Sequence, residues 1–193
     1  MKLVLASSSP RRQELLNQIG VEFSVQVQAV DEAPLPNELP QDYVARLALN
    51  KAQAVAVHNP GLIVLGADTT VVLDGHIITK PCDKQDAKAI LARLSGRTHE
   101  VLTAVALVSD TRFDVEVVST EVTFQVLTDE LIQCYVNTNE PMDKAGAYGI
   151  QGFGAVLVAK LVGSYSNVVG LPLAETARLL GSYQVPFWQR VAV

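Results

Sequence analysis

Apolar positions along the chain follow two patterns: short continuous runs, and stripes that repeat every three or four residues. The first run, Leu3 to Ala6, predicts a buried strand. A helix is predicted from Pro10 to about Ile19, because Ser9 is a good N-cap and proline is favoured at the first helical position. Gly20 is a natural stop for this helix.

The same patterns continue along the chain, so predicted strands and helices alternate. Further strands are predicted at Phe23 to Val27, Leu62 to Leu65, Val71 to Leu73, His76 to Ile78, Val101 to Val108, Asp114 to Val126 and Val156 to Val162. Further helices are predicted at Gln41 to Val57, Asp83 to Leu94, Thr128 to Val136 and Pro172 to Leu180. Residues 31–40 contain three prolines and no periodicity, which predicts a loop. The alternation favours an α/β protein.

The composition suits one domain, or one core divided into two lobes. The chain has 193 residues, of which 49% are hydrophobic and 18% charged, so it can bury a full core. Its net charge of −5 argues against a nucleic-acid partner. No apolar run is long enough for a membrane span or a signal peptide, so we expect a cytoplasmic protein without a membrane partner. The two cysteines and three histidines are scattered and have no zinc-site spacing.

Arg11 and Arg12 stand in the first turn of the first predicted helix, directly after Ser7-Ser8-Ser9. A helix N-terminus attracts anions, so two arginines there oppose the helix dipole unless an anion lies between them. Arginine also binds phosphate through two N–H groups at once. We therefore favour an anion site at this turn. The alternative is a solvated helix end at which Glu14 pairs with the arginines.

Lys51 and Asp68 are the next candidates. Lys51 falls on the apolar stripe of the second predicted helix, so its amine either extends to the surface or meets a buried anion. Asp68 is predicted to lie just past the strand Leu62 to Leu65, and sites in α/β sheets form beyond strand ends. A carboxylate there can bind a magnesium-type cation or accept a proton from water, whereas the structural alternative is an Asx turn.

A glycine-rich segment, residues 146–154, has neither a helical nor a strand period, and its glycines indicate a backbone held close to another group. Gln151 in this segment offers both a donor and an acceptor, which suits the edge of a base. Lys80-Pro81 follows the predicted Asp74-Gly75 hairpin turn. Taken without the other candidates, Lys80 is interpreted as a surface lysine. Four cations, one carboxylate and this segment together predict a site for phosphate and a divalent metal.

These candidates lie in four segments, which are Ala6 to Arg12, Gly66 to Thr69, Lys80-Pro81 and Asp143 to Gly152. The segments resemble, in the same order, the signature segments of the Maf family of nucleoside triphosphate pyrophosphatases, and the likeness extends from about Leu3 to Leu180. The resemblance implies the fold of inosine triphosphatase-like enzymes, with an elongated mixed sheet and flanking helices. It also implies a single domain whose two lobes surround a central cleft.

The resemblance implies a reaction in which a nucleoside triphosphate and water give a nucleoside monophosphate and pyrophosphate, with Mg or Mn as cofactor. Asp68 matches the family's proton acceptor and is also the candidate metal ligand. Arg11, Thr69 and Gln151 match its substrate-specificity positions. Ser7, Arg12, Lys51 and Lys80 match the polar residues of the cleft, where they would bind phosphate. The family also implies a homodimer.

Asp143 to Gly152 looks like the branch of the family that acts on dTTP and UTP, because glutamine can meet the O4 and N3–H edge of uracil or thymine. A preference for 7-methyl-GTP, typical of a branch with glutamate at the Gln151 position, is the alternative within the family. A nucleotide-binding regulator of cell division without turnover is the alternative from another class. It is disfavoured because Asp68 and the cations are all present.

Overall fold

The structure is a computed structural model that describes residues 2–188. Its strands are β1 (Leu3–Leu5), β2 (Phe23–Val25), β3 (Ile63–Leu73), β4 (His76–Ile78), β5 (Thr98–Val108), β6 (Phe113–Phe124) and β7 (Val158–Val162). Its helices are α1 (Pro10–Gln18), α2 (Pro40–Ala56), α3 (Lys84–Leu94), α4 (Asp129–Asn137), α5 (Tyr165–Val169) and α6 (Leu173–Ser182). Three 3-10 turns cover Glu140–Asp143, Ala145–Ala147 and Phe153–Leu157.

The strands form a mixed sheet in the order β2-β1-β3-β5-β6-β7, with β4 paired to β3. β1 runs parallel to both β2 and β3, with Leu3 opposite Phe23 on one side and Ile63 on the other. β4 is antiparallel to β3, and β7 is antiparallel to β6. The predicted α/β class, with a mixed sheet and flanking helices, is confirmed.

Local sequence signals account for many of the element ends. α1 begins at Pro10, and Gly20 takes a positive φ of 69° just after the helix ends. α3 begins after Asp83, whose Oδ1 accepts a hydrogen bond from the backbone N of Asp86 at 2.8 Å. The predicted Asp74-Gly75 turn joins β3 to β4 with φ values of 53° and 77°. These ends were predictable because each depends on residues that are adjacent in the chain.

β3 is longer than the sequence predicts. The prediction has two separate strands, Leu62 to Leu65 and Val71 to Leu73, with Asp68 beyond the end of the first. In the structure one strand of 11 residues covers both segments. The predicted position of Asp68 beyond a strand end is therefore wrong, because this residue lies in the middle of β3.

Gly66 explains why β3 continues where a loop was predicted. A Cβ atom at this position would overlap the backbone oxygen of Ala48 and lie 2.8 Å from the backbone N of Ala52. Both residues belong to α2. Glycine here allows a helix to approach the strand closely and does not mark a turn.

The described chain divides into two compact units. The first unit comprises the residues up to Asp68, Thr103–Val118, and the residues from Gly170 onward, and the second comprises Thr69–Leu102 and Ser119–Val169. Fully buried side chains of the first unit include Leu3, Leu5, Leu16, Leu47, Leu65, Leu107, Leu171 and Leu180. Those of the second include Leu91, Leu94, Phe124 and Leu157. The arrangement of two lobes around one cleft stays a prediction.

The sequence did not predict α5, which has only five residues. Its start is stabilised by Ser164, whose Oγ accepts a hydrogen bond from the backbone N of Asn167 at 3.3 Å. Within residues 2–188, no helix has both the length and the apolar character needed to cross a membrane.

Candidate active site

Asp68 and Lys51 form an ion pair inside the first unit. The Nζ of Lys51 donates a hydrogen bond to Oδ1 of Asp68 at 2.6 Å. The approach of α2 to β3 at Gly66 brings the two side chains together, since one lies on each element. Of the two alternatives predicted for Lys51, the surface and a buried anion, the structure shows the second.

The surroundings of Asp68 alter its proton affinity. Asp68 is only 8% exposed, and burial raises the pKa of its carboxyl group. The ammonium of Lys51 and the charge of Arg12 act in the opposite direction, but the pKa stays above its ordinary value. A carboxylate with a raised pKa binds a proton more tightly, which suits a general base that acts near neutral pH.

Arg12 is fixed at the start of α1. Its Nε donates to the backbone oxygen of Gly170 at 2.9 Å, and its Nη1 donates to Oγ of Ser7 at 3.1 Å. The same Ser7 oxygen accepts a hydrogen bond from the backbone N of Ser9 at 3.3 Å. The structure therefore brings the predicted residues Ser7 and Arg12 into direct contact.

Arg11 and Arg12 repel each other at this helix end. Burial is the main influence that lowers the pKa of Arg12, and the charge of Arg11 lowers it further, while the charge of Asp68 opposes both. Arg12 nevertheless remains a cation at physiological pH, because a guanidinium does not lose its proton in proteins. A bound anion would relieve the repulsion, which suits a phosphate group at the N-terminus of α1.

Sequence reasoning missed Glu32. Its Oε1 lies 2.7 Å from Nζ of Lys51, so the lysine lies between two carboxylates. The sequence places Glu32 in a proline-containing loop without periodicity, and no local signal marks it. The one available hint was Lys51 itself, because a lysine withdrawn from solvent offers three N–H donors and needs more than one acceptor.

Tyr43 and Arg46 of α2 hold the loop that carries Glu32. The Oη of Tyr43 donates to the backbone oxygen of Glu32 at 3.1 Å, and Nη2 of Arg46 donates to the backbone oxygen of Ala33 at 3.1 Å. Arg46 also donates to both carboxylate oxygens of Glu38, at 2.6 and 2.7 Å. A two-pronged arginine–carboxylate pair has a defined geometry, so this loop takes its position from α2.

The remaining predicted residues belong to the second unit. Thr69 is half-buried and follows Asp68 in β3. Lys80 is exposed just after β4, and Gln151 is exposed within the glycine-rich segment. Their exposure leaves the amine of Lys80 and the amide of Gln151 accessible to a ligand.

A comparison with protein families identifies the relatives of this chain. The family profile described as Maf-like protein matches residues 2–183. The chain belongs to the Maf family. All four signature segments lie within the matched residues, and the resemblance inferred from the sequence is confirmed.

Several proteins that are similar to this Maf chain are named dTTP/UTP pyrophosphatase. The one from Symbiobacterium thermophilum is 55% identical over 190 residues, which cover 97% of this chain and 96% of that protein. The one from Desulfotalea psychrophila is 50% identical over 185 residues, which cover 95% of each. Among solved structures, a HAM1 protein from Coxiella burnetii matches with a TM-score of 0.55 at 17% identity, over 94% of this chain and 99% of that one. This last likeness shows the shared fold.

Asp68 and Glu32 are two carboxylates that lie close together in the first unit. They lie 2.6 and 2.7 Å from the same lysine nitrogen, Nζ of Lys51. Among residues 2–188, no group of three or more histidines, cysteines and acids is arranged to hold a metal ion. Mg²⁺ is commonly held by one or two carboxylates together with substrate phosphates. The donors therefore fit a metal that is bound jointly with a nucleotide.

Proposed function

We propose that this chain hydrolyses dTTP and UTP to the nucleoside monophosphate and pyrophosphate. One observation carries the proposal: the buried carboxylate of Asp68 lies among cations in a chain that is 55% identical to a protein named dTTP/UTP pyrophosphatase. Cations attract a triphosphate, and a carboxylate among them can act on the water that attacks it.

Arg12 and Ser7 bind phosphate oxygens at the start of α1 in this proposal. The contact of Arg12 with Gly170 fixes its guanidinium, which lowers the entropy cost of binding. Arg11 stands in the same helical turn, and Lys51 and Lys80 add two further cations. The four cations offset the charge of the triphosphate and of the departing pyrophosphate.

Asp68 serves the attacking water. The water oxygen forms a bond to the α-phosphorus, and one water proton passes to the carboxylate of Asp68. The bond from the α-phosphorus to its bridging oxygen breaks, and pyrophosphate leaves with that electron pair. The raised pKa of Asp68 favours this proton transfer, and Lys51 orients the carboxylate through its 2.6 Å hydrogen bond.

A divalent metal completes the site, and Mg and Mn are the candidates. Glu32 would hold it together with the phosphates, and Asp68 would join Glu32 if its carboxylate is a metal ligand and not the proton acceptor. When bound, the metal would offset phosphate charge and stabilise the leaving group. Metal binding by Asp68 is the alternative to its role as proton acceptor.

Gln151, Thr69 and Arg11 select the base. The amide of Gln151 accepts from N3–H and donates to O4 of uracil or thymine. Removal of modified or non-canonical pyrimidine nucleotides is the cellular role that we propose. A homodimer and a cytoplasmic location stay predictions.

The test is the release of pyrophosphate from dTTP, UTP, CTP, GTP and 7-methyl-GTP, first with magnesium and then with manganese. Turnover that favours dTTP and UTP supports the proposal. A preference for 7-methyl-GTP would assign the chain to the other branch. Nucleotide binding without any product would instead favour the regulator, since such a protein binds without turnover.

A further inference from the structure

Glu140 binds the backbone of the glycine-rich segment. It begins the 3-10 turn Glu140–Asp143 that follows α4, and its Oε2 accepts a hydrogen bond from the backbone N of Phe153 at 2.8 Å. Its Oε1 accepts from the backbone N of Gly154 at 3.0 Å and from Oη of Tyr135 at 2.8 Å. One carboxylate thus holds the chain at two consecutive residues just after Gln151.

Tyr135 fixes the other side of Gln151. Its Oη accepts a hydrogen bond from the backbone N of Gly149 at 3.0 Å and donates to Glu140. Burial is the main influence that raises the pKa of Tyr135, so its hydroxyl keeps its proton and remains a donor. The backbone amides of Gly149 and Gly154 are therefore both hydrogen-bonded to the Tyr135–Glu140 pair.

The glycines of this segment fit against that group. A Cβ atom at Gly152 would lie 2.7 Å from Cδ of Glu140, and one at Gly154 would lie 2.6 Å from Oη of Tyr135. At Gly154 the added atom would also lie 2.7 Å from the backbone oxygen of Gly149, so this position requires glycine. At Gly152 a side chain would displace the Glu140 carboxylate from its present place. The close neighbour that the glycine content of the sequence indicated is thus the Glu140–Tyr135 pair.

Glu140 is ionised in this setting. Burial opposes its charge, but the amides of Gly154 and Phe153, the Tyr135 hydroxyl and nearby Lys144 together lower the pKa of Glu140 below its ordinary value. An ionised carboxylate accepts stronger hydrogen bonds than a neutral amide does. The three groups that contact its oxygens, the amides of Phe153 and Gly154 and the Tyr135 hydroxyl, are all donors. The position therefore needs a side chain that only accepts hydrogen bonds, as an ionised glutamate does.

A second anchor lies just before the segment. Tyr148 is buried, its Oη lies 2.9 Å from Nε2 of His99, and its ring packs edge-on against Phe124 at 4.8 Å between centroids. Residues 149–152 are therefore held at both ends, and Gln151 between them is exposed. Short, doubly anchored segments hold a side chain in place at a low entropy cost.

We propose that Glu140 is a positioning residue that sets the base selectivity of this enzyme by holding the segment that presents Gln151. The inference rests on the proposed function, in which Gln151 contacts the base. The Gln151 amide meets uracil or thymine in one orientation and cytosine in the reversed one, and rotation about its own side-chain bonds interconverts the two. A fixed backbone limits the positions from which this amide reaches the base, so a pose that suits the O4 and N3–H edge is favoured over the others. Loss of that constraint is expected to lower the selectivity for dTTP and UTP over CTP.

The test is the nearly isosteric substitution Glu140→Gln. It places an N–H group opposite the Phe153 amide, or opposite the Gly154 amide and the Tyr135 hydroxyl, so at least one hydrogen bond is lost. We expect KM for dTTP to rise about tenfold while kcat changes by less than about threefold. We also expect the ratio of kcat/KM for dTTP over CTP to fall about tenfold. Glu121→Gln, at an exposed position of β6, is the matched control and should leave all three values unchanged.

A double-mutant cycle shows whether Glu140 acts through Gln151. If it does, adding Glu140→Gln to Gln151→Ala should cause little further loss of selectivity, because the amide that Glu140 positions is already gone. Hydrogen exchange at the amides of Phe153 and Gly154 supplies a readout that needs no nucleotide. We expect faster exchange there in Glu140→Gln than in the parent protein.

The outcomes separate this inference from the proposed function. If Gln151→Ala loses selectivity but folded Glu140→Gln retains it, the positioning role is wrong and the proposed function stands. Additive losses in the cycle would also overturn the positioning role. If neither the parent nor the variants release pyrophosphate, the proposed function itself fails, even when exchange at Phe153 and Gly154 responds as expected.

Discussion

The ammonium nitrogen of Lys51 lies 2.6 Å from a carboxylate oxygen of Asp68, with side chains only 17% and 11% exposed. Burial favours the protonated form of this carboxyl group, and the lysine favours the ionised form. The proton affinity of the proposed general base is therefore a balance between two opposing influences, and each can be altered separately.

Lys51→Met should move the acid limb of the pH profile of kcat/KM to higher pH. It removes a charge that lowers the pKa of Asp68 and leaves the burial that raises it. A protonated carboxyl group cannot accept a proton, so activity is lost as the pH falls through the pKa of Asp68. Lys51→Arg keeps the charge and should leave the limb near its original position. An acid limb that stays in place in Lys51→Met would contradict the role of Asp68 as the base.

Asp68→Asn should leave the fold intact and lower kcat by about 10³-fold, because asparagine cannot take a proton from water. Lys51 keeps Glu32 as a partner in this variant, so no unpaired charge is left behind. Pyrophosphate release and thermal unfolding measure the two effects. Asp42→Asn, at an exposed position of α2, is the control and should retain full activity. Substantial turnover in Asp68→Asn would rule out its catalytic assignment.

Gly66→Ala should destabilise the protein by about 1–3 kcal/mol, because the added methyl group overlaps the backbone of α2. Activity should fall as well, since Lys51 lies on the displaced helix. Gly181→Ala in α6 is the matched control. Its methyl group would lie 4.0 Å from Phe187, an ordinary contact, and alanine favours a helix. Chemical denaturation measures both variants, and equal stability of the two would refute the close approach of α2 to β3.

Stability should fall as the pH drops from about 6.5 to about 4, because of His99. Burial lowers the pKa of this histidine to about 4, and its Nδ1 has no hydrogen-bond partner among the described residues. The unfolded chain therefore binds this proton more readily within that window. The neutral, buried imidazole of His99 makes its full contribution to the free energy of unfolding above pH 6.5, the pKa in the unfolded chain. This contribution is lost progressively as the pH falls toward about 4, the pKa in the folded protein.

The shift in the His99 pKa corresponds to about 3 kcal/mol. His99→Gln should remove this part of the pH dependence, because glutamine does not titrate and can still hydrogen-bond to Tyr148. Denaturation at pH 7 and pH 4.5 measures the difference. His58→Gln, at an exposed position, should leave that difference as it is in the parent protein. An unchanged difference in His99→Gln would show that other groups cause the acid sensitivity.

Removal of divalent metal with a chelator should abolish pyrophosphate release, and Mg or Mn should restore it. Glu32→Gln should raise the metal concentration needed for half-maximal activity by about tenfold, because an amide is a weaker ligand than a carboxylate. Glu130→Gln, an exposed control on α4, should not change it. If Glu32→Gln needs no more metal than the parent protein, Glu32 does not bind the metal and only pairs with Lys51.

Features that depend on neighbouring residues could be predicted from the sequence. Pro10 and Gly20 bound α1 because one fits the first helical position and the other permits a positive φ. The apolar stripe of α2 predicted the inward direction of Lys51, whose amine meets the carboxylate of Asp68 in the structure. The family could also be predicted, because its signature segments are short and contiguous.

Features that depend on distant residues could not be predicted. Gly66 looked like a loop residue because the helix that packs on it begins 26 positions earlier in the chain, at Pro40. Glu32 acquires its position from Tyr43 and Arg46, and nothing in its own segment marks it. Glu140 was overlooked for the same reason, since its role depends on amides 13 and 14 residues further along.

The contact of Arg12 with Gly170 also bears on how the protein is made. The two residues are 158 positions apart, so a ribosome must complete the whole second unit before the oxygen partner of Arg12 emerges. The second unit has all of its residues at that point, whereas the first still lacks α6. Domains generally fold as units during synthesis. Arg12, which we propose binds phosphate, is therefore expected to become ordered late, when synthesis of the chain is nearly complete.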